Sequence, residues 1–354
     1  MPANSLPHLL IPFAACSAES WLPAMQAMPR DGMKRLGQLL GRMSLVRTDS
    51  GNAESLSPPH ERALAHALGL ASEDTPDGLI PWAAGDAAVA LQAGSDKAWA
   101  WITPCHWAMG HLHATLSDPA ALALREDESR ALLAIMQPYF ETDGITLHYL
   151  APERWLAEGE LFRNLPTASL DRVLARNVDA WLPDSRPAAP LRRLQNEMQM
   201  LLYTHPFNDV RGSRGQMPVN SFWMSGTGAV LSCRPQPGPR PVLFALSRCA
   251  QAHLEPQRSA PALSRGEREK VSVPRGLAEA VFKEDWTAYQ QAWQALDAGE
   301  IAALQARQQA GDSVRLTLCG ERNALTFETR AATLRTRISR LFNPLRTLDV
   351  LEQL

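Results

Sequence analysis

Apolar and polar positions along the chain alternate between helical and strand periods, and the switches predict a mixed α/β protein. Leu9–Ala14 is a short unbroken apolar run and predicts a buried strand. Helical spacing follows at Ala18–Ala27 and Met33–Met43, and Thr48–Ser57 is polar and loop-like. Ser57-Pro58-Pro59-His60-Glu61 has the signature of a helix start, with a capping hydroxyl, early prolines and an acid in the first turn. Ala98–Trp107 and His111–Ser117 predict a hairpin turning at Ala108-Met109-Gly110. Asp127–Phe140 is amphipathic, and Asp143-Gly144 turns the chain into a strand at Ile145–Leu150.

The clearest helix is Leu191–Tyr203, with Leu191, Leu194, Met198, Leu201 and Leu202 on one face; a shorter one is expected at Ala168–Asn177. Cys233–Pro241 is proline-rich, Val242–Leu246 predicts a buried strand, and Gln257–Arg275 a long polar loop. Leu277–Ala310 is helical in pattern, and Ser313–Leu318 with Ala324–Glu328 predicts a second hairpin. Ala331–Phe342 is a basic amphipathic helix, with Arg330, Arg335, Arg337 and Arg340 as its basic set. The expected fold is helix-rich α/β with mixed short sheets, and the proline-rich stretch divides it into residues 1–232 and 233–354.

Composition narrows the function. A chain of 354 residues with 45% hydrophobic and 20% charged residues can bury a large core without staples. A net charge of −2 argues against a generally basic nucleic-acid binder. Five scattered cysteines without a C-x-x-C pair argue against a disulfide framework and for a reducing compartment. No signal peptide or membrane span is evident, so a cytoplasmic protein is expected.

One segment carries recognisable chemistry. His205-Pro206-Phe207-Asn208-Asp209-Val210-Arg211 leads to Gly215, then Pro218-Val219-Asn220 and Gly226-Thr227-Gly228. With the long helix before it, this pattern resembles archaeal-type cofactor-independent phosphoglycerate mutases of the alkaline-phosphatase superfamily, over residues of about 125–230. The whole chain resembles a bacterial family of RpfE-type regulatory proteins. The residues carrying that likeness are Leu10-Ile11-Pro12-Phe13-Ala14, Leu56-Ser57-Pro58-Pro59-His60-Glu61-Arg62, Thr103-Pro104-Cys105-His106-Trp107 and Leu194-Gln195-Asn196-Glu197-Met198. The resemblance implies a remnant of the mutase fold and a regulatory role.

It also implies a chemistry that needs two divalent metals, a serine nucleophile and clustered Asp and His ligands. The first ligand usually follows the first strand as Asp-Gly, whereas here that strand runs into Ala14-Ala15-Cys16. A second hallmark is Asp-x-x-Gly-His, and the single Gly-His step here, Gly110-His111, has Trp107 where the Asp belongs. A non-catalytic pseudoenzyme is therefore expected, with no cofactor. Its role would be regulation or sensing of a phosphorylated small molecule.

Arg154, Arg211 and Arg214 offer guanidinium forks suited to phosphate, with His205, Asn208 and Asn220 beside them. The same polar groups also suit a purely internal role, satisfying the backbone of a proline-punctuated loop. Two other readings stay open: an active metal-dependent mutase with unrecognised ligands, and an interaction module that uses the Arg-rich last helix on a protein or nucleic acid. Cys105, His106, His111 and His113 are the candidate metal donors, though strand alternation puts Cys105 and His106 on opposite faces and their spacing matches no zinc motif.

Overall fold

The computed structural model describes residues 6–29, 31–110, 113–230, 270–329 and 347–354. In chain order the strands are β1 (Pro7–Ile11), β2 (Met43–Ser50), β3 (Ala98–Cys105), β4 (Trp107–Met109), β5 (Ala114–Leu116), β6 (Thr146–Ala151), β7 (Arg154–Glu158), β8 (Ser221–Ala229), β9 (Lys270–Ser272), β10 (Arg315–Cys319) and β11 (Asn323–Thr329). The helices are α1 (Trp21–Gln26), α2 (Lys34–Leu40), α3 (Pro59–Ala67), α4 (Trp82–Ala90), α5 (Glu126–Glu141), α6 (Leu170–Val173), α7 (Ala189–Tyr203), α8 (Pro206–Ser213), α9 (Gly276–Phe282), α10 (Trp286–Ala298), α11 (Glu300–Gln309) and α12 (Thr347–Leu351). Among the described residues, no helix is long and apolar enough to cross a membrane.

The chain divides into two compact units, one made of residues 1–68 and 265–354, the other of residues 69–264. This differs from the division at 232/233 expected from the proline-rich stretch, and strand pairing explains why. In the first unit the sheet order is β2-β11-β10-β1-β9. The apolar run at the start of the chain lies parallel to β10, with His8 to Ile11 opposite Arg315 to Leu318, and parallel to β9 on its other side. Both ends of the sequence therefore share one sheet. Leu9 and Ile11 pack with Leu316, Leu318, Trp293 and Tyr289 in its core.

Two buried polar groups tie this unit together. The Tyr289 hydroxyl lies 2.8 Å from the Phe13 carbonyl and 2.9 Å from that of Ala14, and it accepts a hydrogen bond from Trp21 Nε1. It holds the segment after β1, where Phe13 is in the left-handed region at φ 54°. Helix α2 has no capping side chain of its own at Met33. The buried carboxylate of Asp297, on α10, accepts from the Arg35 and Leu36 amides at 3.1 and 2.8 Å instead.

In the second unit β6-β7-β3-β8 form an antiparallel sheet. One face carries Ile102, Trp155, Ala157, Phe222 and Met224, covered by α5 through Leu132, Met136 and Phe140 and by α7 through Leu191, Leu194, Met198 and Leu202. These are the apolar stripes that the helical periodicity predicts. The other face carries Trp99, Trp101, Thr103, Arg154, Leu156, Trp223 and Ser225, a mixed set of aromatic and polar groups. Residues of β3 are buried on both faces.

Several expected elements change. Ala98–Cys105 is the central strand of this sheet, and the hairpin after it is the short pair β4–β5. The expected polar loop at Thr48–Ser57 begins inside β2, which pairs with β11 at the sheet edge. The helix expected at Ala168–Asn177 is reduced to α6. The hairpin of β10 and β11 forms where expected. Residues 242–246, most of 257–275 and the basic stretch 331–342 lie outside the described residues.

Candidate functional site

The motif from His205 to Asn220 closes on itself. His205 caps α8, its Nδ1 accepting from the Phe207 amide at 3.1 Å, with Pro206 in the first turn. Asn208 Nδ2 donates to the carbonyls of Leu202 and Val219 at 2.8 and 2.7 Å, and its Oδ1 accepts from the Val219 amide at 3.0 Å. Asn220 pairs with both backbone groups of Trp107, at 2.7 and 2.9 Å. Each amide side chain thus does the work of a missing backbone ladder.

Arg211 is buried, with 1% of its surface exposed. Its Nε donates to the Met217 carbonyl at 3.0 Å, its Nη2 to the Leu122 carbonyl at 2.5 Å, and its Nη1 to Glu128 at 3.3 Å. Arg214, half-exposed, reaches the same carboxylate at 3.5 Å. The Glu128 side chain also accepts from the Arg125 amide at the start of α5. Five of the six candidate ligand-binding residues, His205, Asn208, Arg211, Arg214 and Asn220, are engaged inside the fold.

The candidate metal donors are not gathered. Cys105 is fully buried, and burial pushes its thiol well above the usual range. His106 Nδ1 sits 2.9 Å from the Pro218 carbonyl, His113 is exposed, and His111 lies outside the described residues. Among the described residues, no three donors from this hairpin lie within 4.8 Å of one another.

Arg154 differs from the rest. It opens β7 directly after the two-residue turn Pro152-Glu153 that joins it to β6. Only 3% of its surface is exposed, and neither Nη1 nor Nη2 has a hydrogen-bond partner among the described residues. Its Cζ lies 4.4 Å from the centroid of the Trp101 ring, a cation–π contact that leaves the terminal nitrogens unsatisfied. Trp101 is itself fixed. Its Nε1 donates to Asp86 on α4 at 2.9 Å. Gly226, at φ 64°, occupies a bulge of β8 beside it, where a Cβ would come within 2.9 Å of the ring.

Next to Arg154 is the buried carboxyl of Glu153. Burial pushes it up to about 7; Asp118 adds to the rise and Arg154 opposes it. The site is a buried cation with a free fork, a rigid aromatic platform and a carboxyl that titrates near neutrality. A guanidinium fork of this kind is chemically suited to an oxyanion.

The sequence singles out Arg154 but not Asp86, Trp101, Glu153 or Gly226. The one available signal for Asp86 is a lone acid inside the apolar helix Trp82-Ala83-Ala84-Gly85-Asp86-Ala87-Ala88.

No family model matches the chain. No curated protein matches it either. Among solved structures it is similar to a cofactor-independent phosphoglycerate mutase from Thermoplasma acidophilum, at 13% identity and a TM-score of 0.35, over 99% of this chain and 100% of the other. It is also similar to the PH0037 protein from Pyrococcus horikoshii, at 10% identity and a TM-score of 0.42, over 93% of this chain and 89% of the other. Likeness at this level assigns neither an activity nor a site residue.

Proposed function

We propose that this protein is a non-catalytic, phosphoglycerate-mutase-like member of the RpfE-type family, which binds a small phosphorylated metabolite in a regulatory role. The observation that carries the binding is the unsatisfied edge of the buried Arg154 fork. An unpaired buried charge costs several kcal/mol, and a charge-assisted, bidentate contact with a phosphate oxygen pair removes that cost. The absence of an acid after β1, at Ala14-Ala15-Cys16, supports binding without turnover.

Two assays test the reading. Isothermal titration with 2- and 3-phosphoglycerate and inorganic phosphate is expected to show binding by the wild type that Arg154→Met abolishes. Heat that is absent, or unchanged in the variant, refutes the assignment. Conversion of 3-phosphoglycerate to 2-phosphoglycerate is expected to be undetectable with Mn, Co, Zn or Mg supplied in turn. Metal-dependent turnover lost to a chelator overturns the non-catalytic part.

A further inference from the structure

The arginine fork at the start of β7 is useful to an oxyanion only if it is held still. A free arginine side chain samples many rotamers, and without hydrogen bonds to its terminal nitrogens the buried fork depends on packing to hold it. Here the restraint is indirect. The guanidinium carbon lies 4.4 Å from the centroid of the Trp101 ring, so the indole is the surface against which the fork rests. The indole is oriented by one directional bond, Nε1 to Asp86 Oδ2 at 2.9 Å. The bulge at Gly226 leaves the ring no space to shift in that direction, since even a methyl there would stand 2.9 Å from its Cε3. Trp101 is buried, and so is Asp86. Asp86 lies in an alanine-rich stretch of α4, and the bond to the indole is one directional contact that its buried carboxylate makes.

We propose that Asp86 is a positioning residue for anion recognition: through its bond to the Trp101 indole it fixes the ring against which the Arg154 fork rests, and so keeps the two terminal nitrogens in place for an oxyanion. The inference rests on Arg154 being the anion anchor, and it adds the residue that makes the anchor rigid. It distinguishes two effects that removal of Asp86 would otherwise mix. If the carboxylate acts only through its charge, both Asp86→Ala and Asp86→Asn strengthen anion binding, because each removes a negative charge from the neighbourhood of a cationic site. If it acts through the hydrogen bond, the two substitutions move binding in opposite directions. Asparagine keeps an acceptor for the indole N–H, whereas alanine does not.

The experiment is a titration of the intact chain with inorganic phosphate at constant ionic strength, read both as heat and through the indole N–H signal of Trp101 in a 15N spectrum. Arg154→Met is the control for the anchor. The expected result is binding by the wild type, loss in Arg154→Met, affinity in Asp86→Asn equal to or above wild type, and about tenfold weaker binding in Asp86→Ala. Trp101→Phe keeps an aromatic ring beside the fork but removes the N–H together with the pyrrole ring, and it is expected to weaken binding several-fold even if Asp86→Ala does not fold. Wild-type affinity in Trp101→Phe, stronger binding in Asp86→Ala, or equal losses in Asp86→Ala and Asp86→Asn each overturn the positioning role while leaving Arg154 as the anchor. Failure of wild type to titrate, or full binding by Arg154→Met, removes the anchor and the positioning role together.

Discussion

Glu153→Gln isolates the electrostatic cost of the site. The Glu153 side chain is buried, with 5% of its surface exposed, and its carboxyl rises from an ordinary value of 4.5 to about 7. Burial is the largest cause, Asp118 adds to it, and Arg154 partly offsets it. The folded state therefore favours the neutral acid. Between about pH 4.5 and 7 the folded chain holds a proton that the unfolded chain has released, so the contribution to stability is full below pH 4.5 and is lost as pH rises through 7. At about 1.4 kcal/mol per unit, the loss approaches about 3 kcal/mol by pH 8. Glutamine is neutral at every pH and nearly the same shape. Glu153→Gln is expected to match wild type at pH 4 and to exceed it by about 2–3 kcal/mol at pH 8, measured by urea unfolding across that range. Carboxyl 13C NMR of the wild type supplies the midpoint independently. Parallel stability curves for the two proteins, or a midpoint near 4.5, refute the assignment of a buried neutral acid beside Arg154.

Three other substitutions test the frame around the site. Arg211→Met leaves the buried Glu128 and two backbone carbonyls short of donors, and is expected to cost about 3–5 kcal/mol in urea unfolding. Gly226→Ala forces a Cβ against Trp101 at a left-handed position, and is expected to cost about 1–3 kcal/mol and to change the near-UV circular dichroism of the tryptophans. Asp297→Ala removes the acceptor for the first turn of α2, at about 1–2 kcal/mol; hydrogen exchange at the Arg35 and Leu36 amides is expected to accelerate more than exchange in the second unit.

The elements that sequence periodicity reveals are those whose burial is one-sided. The stripe on Leu191–Tyr203 becomes the buried face of α7, and that on Asp127–Phe140 the buried face of α5. Elements defined by tertiary pairing are less visible. Strand β2 lies at a sheet edge and alternates weakly between buried and exposed positions, so its polar half has the composition of a loop. Strand β8 contains Gly226 and Gly228, turn residues by composition, yet the structure uses Gly226 in a bulge. Helix α8 was not expected from periodicity, although His205-Pro206, a cap followed by proline in the first turn, is a local signal for it.

The candidate site was half legible for a related reason. Residue type identifies a group able to hold phosphate, but only hydrogen-bond accounting separates Arg211, satisfied on three sides, from Arg154, whose terminal nitrogens have no partner among the described residues. The partners that fix Arg154 come from α4, β3 and the bulge of β8, joined by pairing register and by no sequence spacing.

The parallel pairing of β1 with β10 also orders events in time. His8 and Thr317 meet across 309 residues of sequence. During synthesis at roughly 5–20 residues per second, β1 waits on the order of 15–60 s for its neighbour to be made. Residues 69–264 are contiguous and have every strand of their own sheet within that span, so they can complete their core first. Meanwhile the apolar Leu9-Leu10-Ile11 run stays an open strand edge, the kind of surface that chaperones guard and that misassembly exploits. The slow phase in refolding is expected to belong to the unit that contains both ends of the sequence.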